Sequence, residues 1–344
     1  MDALADWARA AGPSDELSRV EVVTKEQIVA ILNDTGNGEV LAIFGPGTRM
    51  THQVPAGRII QSAYLIDGKV VFGLGEDGTE DFWVDRWDPT SDTVDVLYES
   101  TGEDSAWSET AVDGSTMYLT APGPNQAYCV RRMDLSVAEP RLDPDPVACV
   151  DADSDLGWLQ LYEHTLSFQT LASDADCATV HRISLPDGRD EVVDIDGCVS
   201  RDIVGRDWVV WTEPPVEDPE MGGSTNFFDV PLRVRVGGTT YDLGSAVAGS
   251  TVICDGWLYW DREDFDPPIS PEEIRRWRPG GPTQVVYVSP EAADGYATSI
   301  PLCGPGVLGV QRMGGWANAG QEFLTTPTLG WTAGLHPAAG ASGG

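Results

Sequence analysis

Residues 67–73 read DGKVVFG, and this pattern of a turn followed by a short apolar strand recurs along the chain. Further copies are DGSTMYL (113–119), EHTLSFQ (163–169), RDWVVWT (206–212), CDGWLYW (254–260) and GPGVLGV (304–310), with a weaker copy, KEQIVAIL, at 25–32. Aligning the copies gives one equivalent apolar position in each: Ile31, Phe72, Tyr118, Phe168, Trp211, Trp260 and Val310. Successive positions are 41 to 50 residues apart, which indicates a repeated structural unit.

A second strand follows most copies after a loop and ends in an arginine and a turn. It reads FWVDRWDPTSD (82–92), YCVRRMDLSV (128–137), TVHRISLPDG (179–188), PLRVRVGG (231–238) and EIRRWRPGG (273–281). A closing strand such as TVDVLYES (93–100) comes next. With a less regular strand before the apolar one, each unit has four strands, which we name A, B, C and D in chain order.

One four-stranded sheet cannot bury both of its faces alone, so the units must stack around an axis. The sequence therefore predicts an all-β protein: a β-propeller of seven four-stranded blades, or of six if the weak first and last units combine. We expect one propeller domain over residues 17–335, with a stretch near 17–30 closing the ring against the last blade. Residues 1–16 are predicted to be helical or disordered, and 336–344 to form a flexible tail.

The rhythm of a strand, a loop and a V-x-R-x-D/P-x-x-G segment resembles the TolB-like β-propeller repeats of bacterial secreted and periplasmic proteins. The resemblance covers about residues 20–335. It implies the propeller fold and a role in interactions, and it brings no catalytic residues. The Asp-box of sialidase-type propellers and the Trp-Asp repeat signature are both absent from the sequence.

The formal charge of −34, from 55 acidic and 21 basic residues, limits the possible partners. Such a field repels a phosphate backbone, so nucleic-acid binding is excluded as a function class, and anionic membrane surfaces are disfavoured. No apolar run reaches the roughly 18 residues of a membrane helix, so we expect no membrane insertion. The acidity fits a solvated surface that keeps an exported protein soluble, or else a cation site or a basic partner.

The six cysteines indicate an oxidising compartment. The separation from Cys129 to Cys149 is 20 and that from Cys177 to Cys198 is 21. Two near-equal spacings in consecutive units predict two equivalent local disulfides, which leaves Cys254 to pair with Cys303. Fifteen pairings are possible, and six reduced, buried thiols remain the alternative. We expect a secreted or cell-envelope protein whose signal or anchor is not part of this sequence.

The B–C loops of the fifth and sixth units are long and acidic, while the B–C loops of the second to fourth units are short. Long insertions in tight repeats are often functional, and prolines stiffen both loops. Their carboxylates, without basic partners, suit a basic protein surface or Ca²⁺; solvated charges are the alternative. The acids are Glu213, Glu217, Asp218, Glu220, Asp229, Asp261, Glu263, Asp264, Asp266, Glu272 and Glu273. We single out Glu217, Asp218, Glu220, Asp261, Glu263, Asp264 and Asp266 as the candidate partner-binding residues.

A second acidic cluster, at 151–163, repeats the first ligands of a calcium loop with Asp151, Asp153 and Asp155. Leu156 stands where the sharp turn normally has Gly, and Tyr162 stands where the bidentate Glu belongs. A polar turn between blades is the alternative. No other cofactor is indicated.

No catalytic signature is present: the four histidines fall in no H-E-x-x-H motif, and neither a G-x-S-x-G elbow nor a phosphate loop occurs. The first hypothesis is therefore a non-catalytic extracellular or cell-envelope propeller that binds a protein or glycan through its B–C/D–A loop face. The alternative is a propeller hydrolase or lyase, with Ca²⁺ as a possible requirement, that uses carboxylates around the axis.

Overall fold

The computed structural model describes most of the chain between residues 8 and 327. The described residues are 8–14, 17–34, 38–76, 78–101, 109–123, 128–150, 154–173, 175–186, 188–215, 217–218, 224–225, 229–262, 273–288, 299–312 and 321–327. The tail at 336–344 lies outside them.

The described strands form seven four-stranded antiparallel sheets and one small insertion. The first strand, β1 (Ala8–Ser14), belongs to the last sheet. Blade 1 contains β2 (Leu17–Val23), β3 (Ile28–Asp34), β4 (Gly38–Gly45) and β5 (Thr48–Gln53). Blade 2 contains β6 (Arg58–Ile66), β7 (Lys69–Glu76), β8 (Phe82–Asp88) and β9 (Thr93–Ser100). Blade 3 contains β10 (Thr110–Asp113), β11 (Thr116–Pro122), β12 (Tyr128–Asp134) and β13 (Ala148–Cys149).

The remaining blades follow the same plan. Blade 4 contains β14 (Ser154–Tyr162), β15 (Thr165–Ala172), β16 (Thr179–Ser184) and β17 (Asp190–Val192). Blade 5 contains β18 (Arg201–Val204), β19 (Trp208–Thr212), β22 (Val230–Val236) and β23 (Thr239–Ala246), with β20 (Glu217–Asp218) and β21 (Ser224–Thr225) paired between β19 and β22. Blade 6 contains β24 (Val252–Cys254), β25 (Trp257–Arg262), β26 (Glu273–Trp277) and β27 (Gln284–Val288). Blade 7 contains β28 (Ser299–Gly304), β29 (Val307–Arg312), β30 (Gln321–Pro327) and β1. Seven blades, rather than six, are thus present.

The turns between A and B strands explain why the repeat folds as hairpins. In blade 2 the turn is Asp67–Gly68, with φ of 49° and 76°, and in blade 6 it is Asp255–Gly256, with φ of 48° and 76°. Two successive residues at positive φ form the type of two-residue turn that matches the twist of the flanking strands, and Asp-Gly is a favoured pair there. The sequence pattern of turn and apolar strand is confirmed.

The core is divided among the interfaces between neighbouring blades, and each interface holds one cluster of buried apolar side chains. The seven aligned B-strand positions are all buried, with exposures of 0 to 6%. Each contributes to such a cluster because successive side chains of a strand point to opposite neighbouring blades.

The ring closes differently from the sequence prediction. β1 pairs with β30 and is the outermost strand of blade 7, so residues 8–14 are neither helical nor disordered. Residues 17–23, predicted to close the ring, form the innermost strand of blade 1 instead. The chain therefore joins its first strand to its last blade, and this pairing covers the edge of β30.

The three disulfides are those predicted: Cys129–Cys149, Cys177–Cys198 and Cys254–Cys303. The first joins the C and D strands of blade 3, and the third joins the A strands of blades 6 and 7. Three disulfides indicate an oxidising, extracytoplasmic environment. Among the described residues we find no helix with the length and hydropathy that crossing a membrane requires.

Candidate functional site

The top face of the propeller is the one on which B strands end and A strands begin. The A strands are innermost, since they pair on one edge only and contact the A strands of neighbouring blades. The B–C loops and the D–A connections therefore surround the top mouth of the central channel. The segments at 213–229 and 263–272 both leave B strands on this face.

The predicted partner-binding acids fall into three groups. Glu217 and Asp218 form β20, whose backbone pairs with Ser224 and Thr225. Glu220, Glu263, Asp264 and Asp266 lie outside the described residues. Asp261 is fully buried within β25, where its backbone N–H donates to Ser250 Oγ at 3.1 Å. Its side chain is thus in the core rather than on an exposed loop.

Arginines pair with some of the acids that flank these loops. Arg233 Nε lies 3.2 Å from Glu213 Oε1, and Arg275 Nη2 lies 2.7 Å from Glu273 Oε2. The expectation that these loop carboxylates lack basic partners is therefore wrong for Glu213 and Glu273. Both arginines belong to the C strands that the sequence pattern identified.

The predicted calcium ligands are not gathered within the described part of the chain. Asp155 is exposed on β14, and Asp151 and Asp153 lie outside the described residues. No group of three or more His, Cys, Asp or Glu side chains that could hold a metal ion occurs among the described residues. The calcium site stays a prediction.

Polar contacts along the channel wall link the A strands to the neighbouring blades. Between blades 1 and 2, the backbone N–H of Ile60 donates to Glu39 Oε2 at 2.5 Å and its carbonyl accepts from Arg19. Between blades 2 and 3, Ser62 Oγ and Thr110 Oγ1 are 2.6 Å apart. These bonds satisfy edge groups that the innermost strands cannot pair within their own sheets.

Blades 3, 4 and 5 bring three side chains together on this wall. Glu109, just before β10, accepts a hydrogen bond from the backbone N–H of Leu159 through Oε2. The guanidinium carbon of Arg201, the first residue of β18, lies 3.3 Å from the centre of the Trp158 ring. Burial lowers the pKa of Arg201, and the nearby charges of Glu109 and Asp202 partly offset that effect. We call Glu109, Trp158 and Arg201 the channel-wall cluster.

Trp158 carries three further signs of a specialised position. Its φ is 56°, a left-handed conformation that is rare for a bulky residue. It lies where the register of β14 with β15 shifts, between Gly157 and Gln160. Its indole Nε1 is buried and has no hydrogen-bond acceptor among the described residues. Such strain concentrates at functional sites.

A buried carboxyl lies directly behind this cluster, between blades 4 and 5. Asp202, 2% exposed, accepts a hydrogen bond from Gln169 Nε2 through Oδ1 at 2.6 Å. Its Oδ2 is buried and has no hydrogen-bond partner among the described residues. Burial raises the pKa of Asp202 to about 6, and the hydrogen bond from Gln169, the neighbouring Ser167 hydroxyl and the charge of Arg201 only partly counteract it.

A second series of polar contacts crosses the B, C and D strands of blade 4. Thr170 Oγ1 lies 3.1 Å from His181 Nε2, and His181 Nδ1 lies 3.0 Å from Asp190 Oδ1. The Phe168 ring stacks on the imidazole, with ring centres 4.8 Å apart. The order of hydroxyl, imidazole and carboxylate is the one that activates nucleophiles.

Sequence reasoning missed the channel-wall cluster. Its members lie on or next to A strands, the least regular strands of the repeat, and they are about 45 residues apart along the chain. One local signal was present: the Gly157–Trp158 pair interrupts the strand 154–162, and a glycine within a strand often marks a bulge.

Comparison with known proteins supports the fold alone. No protein-family model and no curated protein matches the chain. Among solved structures, the β-propeller domain of the Trilobed protease from Pyrococcus furiosus is similar over 90% of this chain and 94% of that chain (TM-score 0.60, 10% identity). Polysaccharide lyase Uly1 is similar over 92% and 91% (TM-score 0.56, 9% identity). TolB from Acinetobacter baumannii is a more distant match, over 77% and 62% (TM-score 0.43, 14% identity).

Proposed function

We propose that this chain is a non-catalytic, extracytoplasmic β-propeller that binds a protein or glycan partner on its top face. The observation that carries the proposal is the unpaired state of Arg201. In a chain with 55 acidic residues, its guanidinium makes no ion pair with a carboxylate among the described residues. An incompletely neutralised charge on a fixed aromatic support is a feature of ligand sites.

The position of the channel-wall cluster also supports a binding function. Glu109, Trp158 and Arg201 lie near the top mouth of the channel, where the B–C loops and D–A connections meet. Binding residues commonly sit on loops and strand ends that a rigid scaffold holds in place. The long loops of blades 5 and 6 flank the same face and would enlarge the contact area, with Glu217, Asp218, Glu220, Glu263, Asp264 and Asp266 as their proposed contacts.

The experiment compares two charge-reversed variants in a capture assay. Purified protein is immobilised, exposed to extracytoplasmic proteins and glycans of the source cells, and the bound material is quantified. The top-face variant replaces Glu263, Asp264 and Asp266 with lysine. The control replaces Asp67, Asp207 and Asp255, which are exposed in the A–B turns of the opposite face, and changes the net charge by the same amount.

We expect the top-face variant to lose at least about tenfold in captured partner, because charge reversal at a rim adds repulsion and slows association. The control should capture as much as the unmodified chain. Equal capture by both variants, or no specific capture by the unmodified chain, would contradict the proposal. Asp261 is left unchanged, since a lysine at this buried position would disrupt the core.

Hydrolysis is the second candidate, and it rests on the line from Thr170 through His181 to Asp190. It ranks second because Phe168 covers one face of the imidazole and the three groups lie on the B, C and D strands, outside the innermost A strand. Thr170→Val keeps the side-chain shape and removes the hydroxyl. Hydrolysis of p-nitrophenyl esters that disappears in Thr170→Val would favour this candidate, and equal rates in both proteins would remove it.

A further inference from the structure

We propose that Arg201, held flat against Trp158, is the receptor for a carboxylate group of a protein partner. This inference rests on the proposed function and specifies the chemistry of that site. Its basis is the contact of Arg201, which has no ion pair among the described residues, with the strained Trp158 ring. Arg58 also lies over a ring, that of Trp83 at 3.6 Å, but of these two tryptophans only Trp158 has a left-handed φ and a buried indole Nε1 without a partner among the described residues.

Several described arginines neutralise a neighbouring carboxylate. Such pairs, with N···O distances of 2.7 to 3.1 Å, are made by Arg86 with Asp95, Arg132 with Asp143, Arg182 with Glu191 and Arg275 with Glu273. Arg201 is half-buried, yet within the described residues its guanidinium makes neither an ion pair nor a hydrogen bond. The contact that its guanidinium does make is with the face of the Trp158 ring.

Stacking leaves the hydrogen-bonding edge of Arg201 available. A guanidinium carries its five N–H groups in the molecular plane, so contact with the indole uses the face and not the edge. The contact also limits the rotamers of a side chain that would otherwise lose entropy on binding. A carboxylate fits that edge by two parallel hydrogen bonds. The Trp158 Nε1–H of the same contact is buried and has no acceptor among the described residues.

The surroundings favour a protein partner over a glycan. The guanidinium covers a face of the Trp158 ring, so a sugar ring cannot stack on that face without displacing Arg201. An acidic polysaccharide would also meet the field of a chain with a formal charge of −34. A peptide can place a single carboxylate on Arg201 and a neighbouring cationic group toward Glu109, whose charge is close enough to affect Arg201.

The test follows the indole ¹⁵N–¹H resonances of the full chain during titration with small probes. The Trp158 signal is assigned by its loss in Trp158→Phe. The probes are acetyl-Lys-Asp-amide, which offers a side-chain carboxylate; acetyl-Lys-Gly, which offers a C-terminal carboxylate; acetyl-Lys-Asn-amide, which offers neither; and methyl glucuronide, which represents an acidic glycan. Comparison of the first two probes identifies the source of the carboxylate.

We expect a saturable shift of the Trp158 signal with at least one carboxylate peptide and none with acetyl-Lys-Asn-amide. Arg201→Gln should weaken the affinity roughly tenfold to a hundredfold, the effect of losing hydrogen bonds between charged groups. Arg201→Lys should be intermediate, because it keeps the charge and loses the planar fork. Arg206→Gln, which removes an exposed arginine from the turn at the opposite end of the same hairpin, should bind like the unmodified chain.

Equal affinity of the unmodified chain and a folded Arg201→Gln variant would overturn the inference. So would tighter binding of methyl glucuronide than of either peptide, or no shift with any probe at the solubility limit. Thermal midpoints of the variants establish that they are folded. If these probes fail while the unmodified chain still captures a partner on its top face, the carboxylate receptor alone is refuted. The proposed function is refuted by a different result: no specific capture by the unmodified chain, or equal capture by the top-face and control variants.

Discussion

Gln169 and Asp202 connect blades 4 and 5 by a hydrogen bond of 2.6 Å from Nε2 to Oδ1. The bond reaches from a B strand to the A strand of the next blade, one residue away from Arg201. Gln311 makes the corresponding connection between blades 7 and 1: its Nε2 donates to the carbonyl of Ser18 and its Oε1 accepts from the N–H of Val20, each at 2.8 Å. Gln169 and Gln311 thus occupy the same position of the B strand in two blades. Each bonds to the A strand of the next blade.

The first prediction concerns the pH dependence of stability. Burial raises the pKa of Asp202 to about 6, above the ordinary value of 3.8, so the folded state binds more protons than the unfolded state between these values. The stability that protonated Asp202 contributes is therefore complete below about pH 4 and is lost as the pH rises through about 6. Asp202→Asn should raise the free energy of unfolding by up to about 3 kcal/mol at pH 8, and by nothing at pH 4.

Urea unfolding at several pH values measures this difference. The exposed Asp207 provides the control, since Asp207→Asn should follow the unmodified chain at every pH. An Asp202→Asn variant that is less stable than the unmodified chain at pH 8 would show that the carboxylate is stabilised by an interaction rather than destabilised by burial.

The second prediction concerns the glutamine between blades 7 and 1. Gln311 is 2% exposed, and Gln311→Leu keeps its bulk while removing both polar atoms. The N–H of Val20 and the carbonyl of Ser18 would then lose their partner inside the interface that closes the ring. Leaving a buried group unsatisfied costs about 1–3 kcal/mol, and thermal or urea unfolding should show a loss in this range. An unchanged midpoint would mean that β2 has another route to satisfy these groups.

The third prediction concerns the disulfides. Cys254–Cys303 closes 49 residues, whereas Cys129–Cys149 closes 20. In the chain-entropy description, the longer loop gains about 4 kcal/mol and the shorter about 3 kcal/mol. The longer one also joins two blades, so its loss should loosen the ring as well as the chain. Replacing Cys254 and Cys303 by alanine should therefore lower the urea midpoint more than replacing Cys129 and Cys149, and the opposite order would contradict this account.

Much of the fold could be predicted because the decisive signals are local. Asp-Gly turns, apolar B strands and arginine-bearing C strands each lie within about 20 residues, and the near-equal cysteine spacings repeat the same unit. The strand at 8–14 could not be predicted, since ARAAGPS has no apolar alternation and its strand state depends on pairing with β30. Asp261 was misread because an acid near a strand end resembles the start of a loop, whereas β25 continues to Arg262. The cluster of Glu109, Trp158 and Arg201 depends on three separate blades being adjacent, which no local pattern encodes.

The last prediction concerns the closest approach between blades 7 and 1. A Cβ at Gly304 would lie 1.8 Å from the backbone carbonyl oxygen of Val23, and a backbone atom cannot rotate away as a side chain can. Gly304→Ala must therefore push β28 and β2 apart, next to the Cys254–Cys303 disulfide. Gly256, in the A–B turn of blade 6, is the matched control: nothing lies within 4 Å of its added Cβ, and its φ of +76° adds only the strain of a left-handed alanine. We expect Gly256→Ala to cost about 1 kcal/mol and Gly304→Ala about 3 kcal/mol or more, measured by urea unfolding. Equal losses would mean that the two inner strands can separate freely, and that the ring is closed by β1 rather than by the packing of blade 7 against blade 1.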